Sequence, residues 1–188
     1  MKLALNGNAP TVEAGLYPAV CYGLIDIGTQ ENEYQGKVMY QRKAILKFEL
    51  LDEFDNDDKR IVLTQIYNMS LNEKSKFRQH LRNWRGKDFT EEELNCFEPK
   101  NVMGSNVILN VIVNDRGRAV IDGTAKYKSE AVASGRDVEY FSFDDMQKGD
   151  VIPDFISEGI LNLLQKSKEW DTISHETKHN EVEDDVPF

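Results

Sequence analysis

Polar and apolar positions along this chain follow a period of two at first, then lengthen. Residues 15–28, GLYPAVCYGLIDIG, are β-branched, aromatic and apolar on both faces and close on Gly28, which predicts a strand. The polar stretch TQENEYQGK predicts a turn. In VMYQRKAILKFELLD, Ala44, Leu46, Phe48 and Leu50 alternate with Lys43, Ile45, Lys47 and Glu49, the pattern of a second, half-buried strand. After the acidic loop DEFDNDDKR, IVLTQIYNM predicts a third. Then Phe77, Leu81 and Trp84 stand at i, i+4 and i+7, the buried stripe of a helix. Ser70 and Glu73 fit a capping box ahead of it, and Gly86 a left-handed stop behind. TEEELNCF predicts a short second helical piece; NVILNVIVN and AVIDGTA, joined by a DRGR turn, predict strands four and five. Residues 129–150 carry no sustained period. Pro153 opens a last helix with Ile156, Ile160, Leu163 and Leu164 on one face, and from about Lys168 a disordered tail is expected.

Three strands, a helix and two strands is the element order of the OB-fold, a five-stranded Greek-key barrel with its helix between strands three and four. The expected class is therefore mainly β. The expected organisation is an N-terminal extension (1–14), an OB-fold domain (15–128), an acidic loop (129–150), a C-terminal helix packed on the barrel (151–167) and a flexible acidic tail (168–188).

The composition is that of one globular domain with a polar extension: 188 residues, 40% hydrophobic and 30% charged. No apolar run approaches the roughly 18 residues needed to span a bilayer. The start, MKLALNGNAP, lacks a secretory apolar region. Cys21 and Cys96 do not make a disulfide framework, so a reducing, cytoplasmic setting is expected. The net charge of −10 is unevenly spread. Residues 1–136 hold 19 acids and 19 bases, 137–168 hold seven acids and three lysines, and 169–188 hold seven acids and Lys178 alone. Uniform acidity would argue against a nucleic-acid partner; segregated acidity does not.

OB-folds bind oligonucleotides on strands two and three and with the 1–2 and 4–5 loops. The residues at those places are Lys37, Arg42, Lys43 and Lys47 with Tyr34 and Tyr40, then Tyr67 on strand three, Arg116 and Arg118 in the 4–5 turn, and Lys126, Tyr127 and Lys128 beyond strand five. Cations offset phosphate and rings stack bases without regard to sequence, the combination a single strand needs. Tyr40 shares parity with Ala44 and Leu46, so its ring has an alternative place inside the barrel. Lys74, Arg78, Arg82 and Arg85 fall on one flank of the helix and form a second basic surface, for DNA backbone or for a carboxylate-rich peptide, unless they are a solvated rim. Support for catalysis is slight. His80 reads as a surface residue on the charged helix; His175 and His179 have zinc-compatible spacing but no third ligand nearby. Asp144 with Asp145, and the loop Asp55, Asp57 and Asp58, read as solvated. No metal, cofactor or catalytic residue is expected.

The end of the sequence, EVEDDVPF, sets Asp184 and Asp185 before Val186, Pro187 and Phe188. Read as a ligand, the proline limits the entropy lost on docking, the ring fills a pocket, and the carboxylates meet a basic rim. This tip closely resembles the acidic tail tip of bacterial single-stranded DNA-binding proteins, with Val186 where isoleucine is commoner. The body resembles a family of bacteriophage and prophage single-stranded DNA-binding proteins, on GLYPAVCYGLIDIGTQENEYQGK, YNMSLNEKSKFRQHLRNWRGKDFTEEELNCFEPKNVMG and IPDFISEGI, most of residues 15–165. The resemblance implies an OB-fold that coats single-stranded DNA without sequence preference in replication, recombination and repair, in a bacterial host's cytoplasm. It further implies a tail that recruits a polymerase, helicase, primase or nuclease through Asp184–Phe188, no membrane partner, and an oligomeric state left open. The other readings are an OB-like interaction module that binds no DNA itself, and a metal-dependent nuclease.

Overall fold

The computed structural model describes residues 12–173, and the tail tip, His175, His179 and most of the N-terminal extension lie outside them. Five antiparallel strands run β1 (Gly15–Tyr34), β2 (Lys37–Phe54), β3 (Arg60–Asn68), β4 (Asn106–Val113) and β5 (Ala119–Lys126), with spatial order β3-β2-β1-β4-β5. A three-residue strand, β6 (Glu139–Phe141), adds to β1 in parallel. The protein is mainly β, as expected. The sheet does not close into a barrel: among the described residues no ladder joins the edges β3 and β5.

Helix α1 (Lys76–Arg85) lies along that gap. His80 is buried between the edges, with Nε2 2.9 Å from the Asp122 carbonyl on β5 and Nδ1 2.8 Å from the Tyr67 hydroxyl on β3. A carbonyl only accepts, so Nε2 carries the hydrogen and Nδ1 accepts from Tyr67. Thr124 donates to the His80 carbonyl (2.6 Å), and Lys76 to the Ile121 carbonyl (3.0 Å). The side chains of α1 thus satisfy edge groups that a closing ladder would have used. His80, expected at the surface, is the bolt of this seam.

Two apolar clusters flank β1 and β2. Inside, Phe48, Leu50, Leu109 and Ile121 pack with Phe77, Leu81 and Trp84 of α1, whose indole is 5.7 Å from the Phe48 ring. The other face meets the C-terminal third: Ile25, Ile27 and Ile45 are covered by Phe141, Phe143, Leu164 and Ile173. Residues 129–150, read as an acidic loop, are therefore part of the packed body. The last helix is also shorter than expected, α3 (Glu158–Leu164), and the chain stays docked through α4 (Trp170–Ile173) where a tail from Lys168 was expected.

Two local boundaries differ from the sequence reading. The cap of α1 is Ser75, whose hydroxyl accepts from the Arg78 amide at 3.1 Å; Ser70 belongs to the preceding turn. The capping box forms instead at Thr90 and Glu93, at the start of α2 (Glu91–Asn95). Arg85 and Lys87 gather on Glu93 and, with the Thr90 amide, hold its carboxyl down at about 2. No helix of the described residues is long and apolar enough to cross a membrane.

Candidate nucleic-acid interface

Strand β1 does not stop at Gly28. Asp26 pairs with Ala44 and Thr29 with Arg42, so three steps on β1 oppose two on β2, a bulge with Gly28 at φ 68°. Beyond it, residues 29–34 pair with 37–42 as an arm that ends in a two-residue turn, Gln35 and Gly36, both at positive φ. Only the base of the arm is covered, where buried Gln30 donates to the Leu163 carbonyl at 2.9 Å; the rest of the arm has no face against the core, which is why its sequence is polar and lacks alternation.

The cations that the sequence grouped on β2 have separate fates. Asp26, buried at the bulge, accepts from the Gly28 amide (2.9 Å), the Phe143 amide (3.3 Å) and Arg42 (2.5 Å). Arg42 also meets Asp144 at 2.9 Å, and bonding to Asp26 raises its already high pKa. Lys47 is held by Glu139 of β6. Both carry structural charges, matched by acids of the C-terminal third. Tyr67 is a correction: 2% exposed, it packs 5.4 Å from Phe77 and donates to His80, so it offers no ring to a base. The reason is register: Tyr67 pairs with Ala44, which faces the interior.

Lys37 and Tyr40 stand on the arm and Lys43 at its base, opposite Asn68 of β3. The Tyr40 ring is 51% exposed and its hydroxyl donates to Glu31 at 3.1 Å, so the alternative place inside the barrel is not taken. Lys43 donates to the Asn32 side-chain carbonyl at 2.8 Å, a neutral partner. Lys168, from the C-terminal segment, sets its ammonium 3.2 Å from the centre of the Tyr40 ring. Among the described residues none of Lys37, Lys43 and Lys168 has a carboxylate within ion-pair reach. Tyr34 ends β1 opposite Lys37.

A groove of about 500 Å³ leads from the arm to the helix, lined by Gln41, Ile66, Asn68, Lys74 and Lys76 among others. It joins the arm to the start of the second basic surface. That surface is divided: Lys74 and Arg82 are exposed, Arg78 donates to the Leu71 carbonyl and lies 3.6 Å from Asp88, and Arg85 pairs with Glu93 while covering the Phe89 ring at 4.1 Å. Lys126 lies against Gly86 at the end of α1, with half-buried Tyr127 and exposed Lys128 following. Arg116 and Arg118 are exposed in the β4–β5 turn, where Asn114 accepts both their amides. The register sets that turn beside the start of β1, whereas the arm is at its other end, so the structure does not bring them together.

Lys168 is the residue that sequence reasoning missed. Its signal was Trp170 and Ile173, two large apolar residues in a stretch assigned to a flexible tail. Among the described residues no three His, Cys, Asp or Glu side chains are grouped to hold a metal ion; Asp144 faces Arg42, and Asp145 accepts from Tyr140 at 2.8 Å. Comparison of the chain with protein-family models, curated proteins and solved structures returned no match.

Proposed function

We propose that this protein binds single-stranded DNA without sequence preference and performs no chemistry on it. The observation that carries the reading is the arm: a half-exposed tyrosine ring with the Lys168 ammonium on it, and Lys37 and Lys43 on the same strand, none of the three with a carboxylate within ion-pair reach among the described residues. A flexible strand offers unstacked bases to such a ring and phosphates to such lysines, while a duplex keeps its bases covered. The groove from Gln41 to Lys74 continues the path to the start of α1. The strand order, with a helix at the open seam, supports assignment to the OB class, whose 1–2 loop and second and third strands meet oligonucleotides. The resemblance to phage single-stranded DNA-binding proteins points the same way, to a role in replication and recombination with Asp184–Phe188 recruiting protein partners.

The test is fluorescence anisotropy of labelled oligo-dT against the full chain over a salt series. If Lys37, Lys43, Lys74 and Arg82 each meet a phosphate, log affinity falls against log salt with a slope of about −3. Salt-insensitive binding, or none, would remove the reading in favour of an interaction module.

A further inference from the structure

The segment after α3 is anchored to the base of the arm. Ser167 is buried against Gly28, where a Cβ would lie 2.6 Å from the serine Cβ. The Lys168 amide donates to the Thr29 carbonyl at 3.2 Å, and the Glu169 carboxylate takes both the amide and the hydroxyl of Thr29, each at 2.6 Å. These bonds to Thr29 hold the Glu169 carboxyl below its ordinary value, although burial opposes them. Ile173 then buries itself beside Ile25 and Ile27. The backbone is therefore fixed on both sides of Lys168, and only the four-carbon stem is free to move. Its ammonium rests on the Tyr40 ring.

This deepens the single-strand reading and rests on it: we propose that Tyr40 and Lys168 form one nucleotide subsite, the ring stacking a base and the ammonium holding that nucleotide's phosphate. An exposed cation–π contact is weaker than base–aromatic stacking, so an arriving base takes the ring and releases the lysine. Among the described residues no carboxylate lies within ion-pair reach of this ammonium, and its anchored backbone keeps it beside the stacked nucleotide. Arg42 and Lys47, nearer in sequence to Tyr40, cannot serve, because Asp26, Asp144 and Glu139 hold them. The C-terminal segment supplies the charge in their place.

The test uses the full chain with labelled oligo-dT. K168A and K168Q should weaken binding about three- to tenfold at low salt and make the salt slope shallower by about 0.7, one phosphate contact on a single strand. K168R should keep both affinity and slope. Y40A should weaken binding with the slope unchanged, and Y40A/K168A should lose less than the product of the single losses, because the two act on one nucleotide. Wild-type affinity and slope in K168A and K168Q, tighter binding in either, or strictly multiplicative losses in the double variant would overturn the subsite and leave the single-strand reading standing. No binding of oligo-dT by the wild type would overturn both.

Discussion

Replacing Gly28 with alanine tests whether the C-terminal segment is locked to the bulge or merely rests on it. Two penalties meet at this position. At φ 68° an L-residue costs roughly 1–2 kcal/mol in the left-handed region. The new Cβ would also stand 2.6 Å from Ser167 Cβ and 2.7 Å from a Glu169 oxygen. Serine Cβ is tied directly to its backbone and cannot swing aside, so over-packing adds about 1–3 kcal/mol. Gly36 supplies the control, with φ 74° and nothing within 4 Å of where a Cβ would stand, so that G36A meets the conformational penalty alone. For a chain of this size each kcal/mol moves the melting midpoint by about 2–4 °C. On that scale G36A should melt about 4 °C below wild type and G28A about 10 °C below. If the segment peels away before the body unfolds, the loss in G28A is capped by the free energy of docking, and half-buried Trp170 becomes exposed while Trp84 stays in the core. Thermal melting followed by tryptophan emission separates the outcomes, since only detachment shifts the emission to the red before the main transition. Equal losses in G28A and G36A would refute the reasoning, because Ser167 and Glu169 would then yield without resistance.

Three further outcomes follow from the same geometry. Burial, and then Lys76, depress the His80 pKa, so the unfolded chain binds this proton more readily; stability should fall as pH drops through about 6.5, and the urea midpoint of H80N should show a flatter pH profile than wild type between neutral and mildly acid solution. R42A strands the buried Asp26 carboxylate and should destabilise by about 3 kcal/mol, while K43A should leave the melting midpoint nearly unchanged and lower oligo-dT affinity. Removing residues 174–188, which hold five acids and one lysine, should tighten oligo-dT binding at low salt, whereas cutting at 168 should weaken it because the anchored segment is lost.

The order of elements up to Lys126 was legible because each has one face in a core and a period to show for it. Where that condition fails, the sequence misleads. Residues 29–34 pair in an arm with no apolar face, and the buried side chain there, Gln30, is polar, so they read as a turn. Ser70 and Ser75 are chemically alike, and only the path of the chain decides which meets the first free amide of α1. Tyr67 could be placed only once its pairing with Ala44 was known, since parity on β3 has meaning relative to β2. The C-terminal third was least legible because its partners are distant: Phe143 and Asp144 serve Asp26 and Arg42, and Glu169 serves Thr29 across 140 positions. The basic-aromatic grouping on β2 and its approach was visible; its division into held and unheld cations was not.

That division changes what the charge distribution means. On the sequence, a balanced body and an acidic C-terminal third look like two poles. In the fold, acids of that third are spent on β2: Glu139 on Lys47, and Asp144 with Asp26 on Arg42, while Arg136 returns the exchange at buried Glu49 beside Arg60. The first two pairings tie cations of β2 to C-terminal segments, Lys47 on the outer face of the strand and Arg42 on the face it shares with Ala44 and Leu46. Among the described residues, the cations without a carboxylate in ion-pair reach include Lys37 on the arm, Lys43 at its base, and Lys74 and Arg82 along α1. An ion pair that is matched and partly buried responds little to an approaching polyanion, because its field is already cancelled at short range, whereas an unmatched lysine on an exposed arm can neutralise a phosphate and release the counterion condensed there. Ionic-strength dependence should thus report the arm and helix lysines, and charge removal at Lys47 should appear in stability and not in the salt slope. K47M, which keeps the stem packed against Gly23, separates the two: lower melting with an unchanged slope is the expected result, and a shallower slope would place the strand on the covered face of β2.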